Sequence, residues 1–259
     1  MAGIAVVTGA SSGIGRALAL ELARRGWELL LVARRKDKLA EVAKAVRDAG
    51  GGAHPLALDV AAPGAADRML AEAEKHGTPE VLVNNAGFGV YGRFLDIPRD
   101  RSRAMIDLNV TALVDATHAF VPGFVERKKG RVLNIASTAA LQCGPYNQVY
   151  AATKAFVLSF TEALAEELRG TGATATVLCP GPTDSEFYAL GDYGKMAVAP
   201  PKGVYMSAEQ VARIGVRAML RGKPVEIAGV KNKVAALGSK LGPRAVVART
   251  TGWIFRPRG

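Results

Sequence analysis

The chain alternates short apolar runs with longer amphipathic segments, and this alternation limits the folds open to it more than any other feature. Three strand–helix units follow one another between residues 4 and 76, and a fourth apolar run comes directly after them. Repeats of this kind build a parallel sheet with helices on both faces. The sequence therefore predicts an α/β fold with a doubly wound parallel sheet.

Period-2 and period-3.6 patterns predict the positions of the individual elements. The predicted strands are 4–7, 28–33, 54–58, 81–83, 131–136, 174–179 and 225–227. The predicted helices are 16–25, 38–50, 65–76, 97–127, 150–168 and 207–220, the last beginning with a capping box of Ser207 and Gln210. Glycine or polar residues follow most of these strands, at the edge where a sheet of this type binds ligands. This arrangement indicates a Rossmann-type single domain with about seven strands.

Composition excludes several classes of protein. At 259 residues and 49% hydrophobic, the chain can bury one large core, and it has no apolar run of 18 residues that predicts a membrane-spanning helix. The amino terminus reads as a first strand and not as a signal peptide. Cys143 and Cys179 form no disulfide or metal pattern, and the histidines at 54, 76 and 118 share no ligand spacing. We therefore expect a cytoplasmic protein without a metal.

The first strand runs into a glycine-rich turn, Thr8-Gly9-x-x-x-Gly13-x-Gly15, which opens the first helix. Glycines let the backbone approach a phosphate closely, and a helix amino end offers it N–H groups and a positive dipole. A simple turn is the alternative, but the position between strand and helix favours a dinucleotide site. The residues expected along the pyrophosphate are Gly9, Ser11, Ser12, Gly13, Ile14 and Gly15.

The second strand ends at Ala33 and is followed directly by Arg34 and Arg35. In dinucleotide folds an acid at this place bonds the ribose hydroxyl, whereas arginine accommodates a 2′-phosphate. These two arginines therefore favour NADP(H) over NAD(H), although they are also compatible with a solvated basic turn.

Tyr150 and Lys154 stand four residues apart at the head of a predicted helix, so they share one face. A nearby cation favours the phenolate, and we expect it to lower the pKa of Tyr150 towards neutrality. Tyr150 is then a candidate general acid or base. A pair with this spacing also arises by chance on a solvated helix, so its meaning depends on the rest of the chain.

Taken together, these motifs resemble those of the short-chain dehydrogenase/reductase family over roughly residues 3–228. Beside the glycine turn, the resemblance rests on Asn84-Asn85-Ala86-Gly87, Asn109, Ser137, Tyr150-x-x-x-Lys154 and Pro180-Gly181, in the family's order. One device of the family is missing, because Ser12 replaces the basic residue that often precedes the middle glycine of NADP enzymes.

The resemblance implies a catalytic group of Asn109, Ser137, Tyr150 and Lys154. Tyr150 is expected to exchange a proton with the substrate oxygen, and Ser137 to hydrogen-bond that oxygen. Lys154 is expected to tune Tyr150 and bind the nicotinamide ribose, and Asn109 to hold a water of a proton relay. The resemblance also extends the cofactor site to Arg34, Arg35, Asp59, Val60, Asn85, Ala86, Gly87, Tyr150, Lys154, Pro180, Gly181 and Thr183.

The substrate is less well specified. We expect Ser137, Cys143, Tyr150 and Tyr188 to contact it, and a lid to lie at about residues 184–205, which are rich in aromatic residues and methionine. These residue types favour an apolar carbonyl or alcohol. The resemblance thus predicts an NADP(H)-dependent ketone or aldehyde reductase that can also act as an alcohol dehydrogenase. A noncatalytic NADP(H)-binding scaffold or sensor is the alternative.

Residues 229–259 form a basic carboxyl-terminal extension of the domain at 1–228. The net charge of the chain is +11, and from Lys223 to Gly259 eight lysines and arginines stand against the single acid Glu226. Three interpretations are open: a subunit-interface element, a segment in peripheral contact with a membrane surface, or a mobile solvated extension. Gly238, Gly242 and Pro243 are expected to interrupt any long helix. We expect a homodimer or homotetramer, and no nucleic-acid partner because no binding module is recognised.

Overall fold

The computed structural model describes residues 3–184, 187, 205–241 and 243–257. Within these residues the strands are β1 Ile4–Thr8, β2 Glu28–Ala33, β3 Ala53–Ala57, β4 Pro79–Asn84, β5 Gly130–Ile135, β6 Ala173–Cys179, β7 Thr183–Asp184, β8 Met206–Ser207 and β9 Val225–Ile227. The helices are α1 Gly13–Ala23, α2 Lys36–Asp48, α3 Ala65–His76, α4 Arg99–Ile106, α5 Ala112–Glu126, α6 Gln148–Glu167, α7 Ala208–Leu220, α8 Val230–Leu241 and α9 Arg244–Ile254. Each predicted strand is present, and the boundaries differ by at most a few residues.

Seven of the described strands form one parallel sheet in the order β3-β2-β1-β4-β5-β6-β9. The chain moves outward in one direction from β1 to β3 and then returns to add β4 on the other side of β1. The carboxyl ends of β1 and β4 therefore flank the topological switch point, where sheets of this type leave a crevice for ligands. The doubly wound Rossmann-type fold predicted from the sequence is confirmed.

The two faces of the sheet are covered by different helices because neighbouring strand residues point to opposite sides. Ala5 and Val7 of β1 pack in the cluster that includes apolar residues of α1, α2 and α7. Ile4 and Val6 pack in the other cluster, which holds residues of α3 and α5. Because helices cover both faces of the sheet, the strands are almost continuously apolar and do not alternate between apolar and polar residues.

The long helix predicted over 97–127 is divided in the structure. A 3₁₀ turn at Phe94–Asp96 precedes α4, and a π-helical turn at Asp107–Thr111 joins α4 to α5. The stretch 99–126 is long and apolar enough to cross a membrane by length and composition, which the search for an apolar run of 18 residues did not indicate. Here it packs on the sheet, with Phe120 and Phe124 fully buried.

The ends of the sheet and the last elements complete the fold. Strand β3 is one edge, and its exposed Pro55 lies opposite Leu31. The capping box of Ser207 and Gln210 forms as predicted, with both hydrogen bonds at 3.2 Å. The expectation that Gly238 interrupts a helix is wrong: α8 continues through it, and the break comes at Pro243, which cannot donate an N–H to the helix.

Candidate active site

A cleft of about 470 Å³ opens at the carboxyl edge of the sheet, beside the switch point between β1 and β4. The glycine-rich turn borders one end of the cleft, and Ser137, Tyr150 and Lys154 border the other. Residues that are remote in sequence thus meet in one continuous site, because strands β1, β4 and β5 end at this edge and helix α6 begins there.

The glycine-rich turn is held tightly against the loop after β4. Gly9 has a φ of +65°, and a Cβ on Gly15 would lie 2.2 Å from the Gly9 carbonyl oxygen. The Asn85 side-chain amide donates to the carbonyl oxygens of Thr8 (2.9 Å) and Gly9 (3.3 Å). Thr8 Oγ1 accepts the N–H groups of Asn85 and Ala86. These bonds fix a backbone cradle that faces the cleft.

The amino end of α1 at this cradle suits a phosphate. Ser12 is the N-cap residue, but no cap hydrogen bond from its side chain is described in this part of the chain. Its hydroxyl instead accepts Arg35 Nη2 at 2.9 Å, and Ser11 Oγ accepts the same nitrogen at 3.2 Å. A helix amino end and a guanidinium therefore converge where the dinucleotide turn predicts an anion.

The two arginines after β2 differ in their surroundings. Arg34 is mostly exposed, and its Nη1 lies 4.0 Å from Asp59 Oδ2 at the end of β3. No acid directly follows β2 in the sequence, but the fold brings Asp59 to Arg34 from the loop after β3. Arg35 instead donates a hydrogen bond to Ser12. Its guanidinium therefore lies beside the position before the middle glycine, where the sequence has a serine and no basic residue. Of the two arginines, Arg35 is therefore the one whose guanidinium lies at the amino end of α1.

Tyr150, Lys154 and Ser137 form a compact group at the other end of the cleft. The Ser137 hydroxyl lies close enough to the Tyr150 phenol to lower the pKa of that phenol. Ser137 Oγ also accepts the Ala139 N–H at 3.1 Å, so its own proton is directed away from that bond. Lys154 Nζ donates to the Ile135 carbonyl oxygen at 2.8 Å and lies 5.8 Å from the centre of the Tyr150 ring. Both residues lie on one helix face, as their spacing predicts.

The expected depression of the tyrosine pKa is not observed. Burial raises the pKa of Tyr150 to about 12, although the Ser137 hydroxyl acts in the opposite direction. The phenolate loses more by leaving water than it gains from its neighbours, and the ammonium of Lys154 is directed to the Ile135 carbonyl. Tyr150 is therefore a protonated acid at neutral pH in this state of the protein.

Burial also lowers the pKa of Lys154 from 10.5 to about 8, so this group links folding to pH. Because its folded pKa lies below its unfolded pKa, the folded protein binds fewer protons over this interval. The free energy of unfolding should therefore rise with pH from about 8 towards 10, by on the order of 2 kcal/mol. Above about pH 10 the raised pKa of Tyr150 contributes with the opposite sign.

Urea unfolding at several pH values, compared between the wild type and Lys154→Met, measures this contribution. The difference in unfolding free energy between the two proteins should change across the interval. A constant difference would show that Lys154 does not titrate in this way.

Asn109 sits in the π-helical turn and is almost completely buried. Its Nδ2 donates to the Phe88 carbonyl oxygen (2.9 Å) and to Thr153 Oγ1 (3.0 Å), and its Oδ1 accepts the Phe88 N–H (3.1 Å). The side chain thereby ties the loop after β4 to the helix that carries Tyr150. Turns of this type recur at functional sites, where they re-aim a few backbone groups.

Most of the predicted site residues border the cleft. They are Gly9, Ser11, Ser12, Gly13, Ile14, Gly15, Arg34, Arg35, Asp59, Val60, Asn85, Ala86, Gly87, Ser137, Tyr150, Lys154, Pro180, Gly181 and Thr183. Cys143 is exposed and does not line the cleft that the structure describes, whereas its neighbour Gln142 does. The extended backbone of Gln142 explains this, because successive side chains then point to opposite sides. Tyr188 and most of the predicted lid lie outside the described residues.

The structure adds residues that motif spacing could not identify. Phe255, from the carboxyl-terminal extension, lines the cleft, as do Leu108 and the buried Asn147. Away from the cleft, His54 and His76, which share no spacing in the sequence, stack with ring centres 3.6 Å apart.

The fold and the cleft together define a dinucleotide-binding oxidoreductase of the Rossmann type. The profile of the short chain dehydrogenase family matches residues 3–190. The chain therefore belongs to the short-chain dehydrogenase/reductase family and is an enzyme, which leaves the alternative of a noncatalytic scaffold without support.

Two relatives illustrate the range of the family. A short chain dehydrogenase of Pseudocercospora fijiensis is 37% identical over 191 residues, which are 73% of this chain and 62% of the relative. The ketoacyl reductase HetN of Nostoc sp. is 30% identical over 237 residues, 91% of this chain and 81% of that protein. The first of these relatives is thus substantially longer than its matched region.

Solved structures are similar over almost the whole chain. A short-chain dehydrogenase from Sphingobium yanoikuyae in complex with NADPH is 29% identical, with a TM-score of 0.82 over 99% of this chain and 96% of that one. A structure from a study of 7beta-hydroxysteroid dehydrogenase stereoselectivity is 26% identical, with a TM-score of 0.85 over 96% of both chains. These similarities support a nicotinamide cofactor.

Proposed function

We propose that this enzyme reduces a ketone or aldehyde with NADPH and catalyses the reverse oxidation of the alcohol. The observation that carries the proposal is the continuity of the cleft. The glycine cradle and Arg35 at one end fit a phosphorylated dinucleotide, and the Ser137–Tyr150–Lys154 group at the other end fits a carbonyl oxygen.

Each side chain of the group has a separate task. Tyr150 donates its proton to the carbonyl oxygen as negative charge develops there, and its raised pKa keeps that proton available at neutral pH. Ser137 donates a second hydrogen bond to the same oxygen. Lys154 is buried close to the Tyr150 ring and supplies a fixed positive charge on the side of the developing anion. A bound nicotinamide supplies the hydride.

The residues that border the expected cofactor site fit a bound dinucleotide. The loop 85–87 is held at the middle of the cleft, and a Cβ on Gly87 would lie 2.8 Å from Asn109 Oδ1 and 3.4 Å from Lys154 Nζ. Asp59 and Val60 border the cleft at its outer part, where the adenine is expected, and Pro180, Gly181 and Thr183 at its inner part. HetN is a ketoacyl reductase and the Sphingobium yanoikuyae relative is a short-chain dehydrogenase in complex with NADPH, and both support the same reaction class.

The direct experiment incubates the purified protein with NADPH and a panel of ketones and aldehydes, and follows both NADPH oxidation and alcohol formation. Stoichiometric formation of an alcohol from at least one carbonyl supports the proposal. If NADPH binds but none of a broad panel is reduced in either direction, the proposed reaction is wrong.

Cofactor choice depends on Arg35 in this proposal. Arg35→Ala removes a charged donor beside Ser12, so we expect the dissociation constant for NADPH to rise roughly 10- to 100-fold. NADH lacks the 2′-phosphate, and its dissociation constant should change less than about threefold. Arg34→Ala should have a smaller effect on NADPH, because Asp59 already offsets the charge of Arg34.

Calorimetric titration of both cofactors into each variant measures this difference. Arg169→Ala, which removes an exposed arginine at the end of α6, is the control for loss of one positive charge. Equal weakening of NADPH and NADH by Arg35→Ala would contradict a 2′-phosphate contact.

We also propose that the enzyme works in the cytoplasm as a homodimer or homotetramer. Members of the family act on small molecules and are often oligomeric. The exposed Val230, Val234 and Val246 of the basic carboxyl-terminal extension offer a surface either for a second subunit or for peripheral contact with an anionic membrane. Light scattering, with and without anionic vesicles, separates these assemblies.

A further inference from the structure

Four aromatic residues from four separate segments meet beside the catalytic group. Tyr91 comes from the loop after β4, Tyr146 from the loop before α6, Phe187 from the segment after β7, and Phe255 from the end of the chain. Tyr91 is almost completely buried within this group, which we call the aromatic cluster. Its members have no common sequence motif, so only the fold brings them together.

The aromatic cluster is connected to Tyr150 through Phe187. The Phe187 and Tyr150 ring centres are 5.3 Å apart, at an interplanar angle of 52°. Phe187 and Phe255 both line the cleft that contains Ser137 and Tyr150. The wall next to Tyr150 is therefore aromatic, and two members of the aromatic cluster line the cleft.

Specific contacts place Phe255 in this wall. The Tyr91 hydroxyl donates a hydrogen bond to the Phe255 carbonyl oxygen. The Gly92 N–H donates to the Tyr146 carbonyl oxygen at 2.8 Å and thereby joins the two loops that flank Phe255. Burial raises the pKa of the Tyr91 phenol, which keeps its proton on the donor side of that bond.

Helix α9 docks on the same loop that separates Ser137 from Tyr150. Thr251 is buried, and a Cβ on Gly252 would lie 3.6 Å from Pro145 Cγ. Trp253, one residue further, points away from this contact and is 74% exposed. The helix thus presents one side to the active-site loop and carries Phe255 from its end into the cleft.

We propose that Phe255, with Phe187, forms a subsite for an aromatic or alicyclic group attached to the substrate carbonyl. The carboxyl-terminal segment 244–257 then determines substrate size and is part of the active site. This inference rests on the proposed carbonyl reduction for its kinetic test, but the subsite itself is a binding surface that can be tested without turnover.

The test compares an aryl ketone with butanone as substrates for the wild type and for Phe255→Ala. Loss of the ring removes apolar contact with the large group only, so kcat/KM for the aryl ketone should fall about 10- to 50-fold. The value for butanone should change less than about threefold, and the dissociation constant for NADPH should stay the same. Phe255→Leu, which keeps an apolar side chain, should fall between the two proteins.

Trp253→Ala is the matched control, because it removes an aromatic residue from the same helix on the exposed side. Its ratio of kcat/KM values for the two ketones should equal that of the wild type. Tyr91→Phe removes the bond to the Phe255 carbonyl and should lower kcat/KM for the aryl ketone by a smaller factor than Phe255→Ala. Equal loss for both ketones in Phe255→Ala, or equal effects of Phe255→Ala and Trp253→Ala, would overturn the subsite.

A second measurement separates this inference from the proposed reaction. Calorimetric binding of an unreactive aryl alcohol to the NADPH-loaded protein should weaken in Phe255→Ala and remain unchanged in Trp253→Ala. If no carbonyl is reduced but this difference is found, the reaction is wrong and the subsite stands. If carbonyls are reduced but neither binding nor kinetics respond to Phe255→Ala, the reaction stands and the subsite is wrong.

Discussion

Replacing Tyr150 with phenylalanine should lower kcat for carbonyl reduction roughly a thousandfold, the largest loss that we expect from any single change in this enzyme. The substitution removes one buried hydroxyl, which lies close to Ser137, and keeps the ring that packs against Phe187. The proton donor is lost, whereas the walls of the site are retained.

The measurement is single-turnover reduction of a substrate that the wild type accepts, together with NADPH binding. Because Tyr150→Phe preserves the ring, the dissociation constant for NADPH should change less than about threefold. Ser137→Ala, which leaves the phenol in place, should reduce kcat by a smaller factor, roughly a hundredfold. Retention of more than about a tenth of wild-type kcat in Tyr150→Phe would refute its role as the acid.

Gly15→Ala should abolish measurable cofactor binding, with a rise of more than roughly a hundredfold in the dissociation constant for NADPH. A Cβ at this position would lie 2.2 Å from the Gly9 carbonyl oxygen and 2.5 Å from Asn85 Nδ2. Atoms cannot approach so closely, so the glycine-rich turn has to move away from Asn85. The cradle formed by the turn and the amino end of α1 then no longer matches a pyrophosphate.

Gly238→Ala is the control for this substitution, because a Cβ there meets nothing within 4 Å and the residue lies inside α8. It should leave cofactor binding unchanged and stabilise the protein slightly, by about 0.5–1 kcal/mol. Thermal unfolding of both variants shows whether Gly15→Ala acts on the site or on the whole fold. A Gly15→Ala protein that binds NADPH like the wild type would show that the turn adapts.

The sequence was sufficient for the parts of this enzyme that depend on local periodicity. The spacing of Tyr150 and Lys154 predicts their common helix face, and the polar residues after β1 and β4 predict the edge where the cleft opens. Contacts between residues that are far apart in the sequence could not be predicted in this way. Arg34 meets Asp59 only because β2 and β3 are neighbours in the sheet, and this pairing moves the expected phosphate contact to Arg35.

Burial was the second quantity that spacing could not supply. The direction of the pKa shift of Tyr150 depends on how completely the ring is removed from water. The spacing of Tyr150 and Lys154 in the sequence does not reveal this burial. Phe255 is the extreme case, since its position depends on the docking of α9 against Pro145 and Tyr91, residues more than a hundred positions earlier. Composition of the extension alone could only suggest an interface, a membrane or solvent.

The edge strands restrict how copies of this chain can assemble. Strand β3 carries an exposed Pro55, and a proline has no N–H to offer to a strand from another molecule. At the opposite edge, β9 has only three residues, with Glu226 held between Lys223 and Lys233. Neither edge presents a long, regular row of hydrogen-bonding groups. Sheet extension is therefore disfavoured as a route both to oligomers and to aggregates, so any association between copies of this chain would have to use surfaces other than these two strand edges.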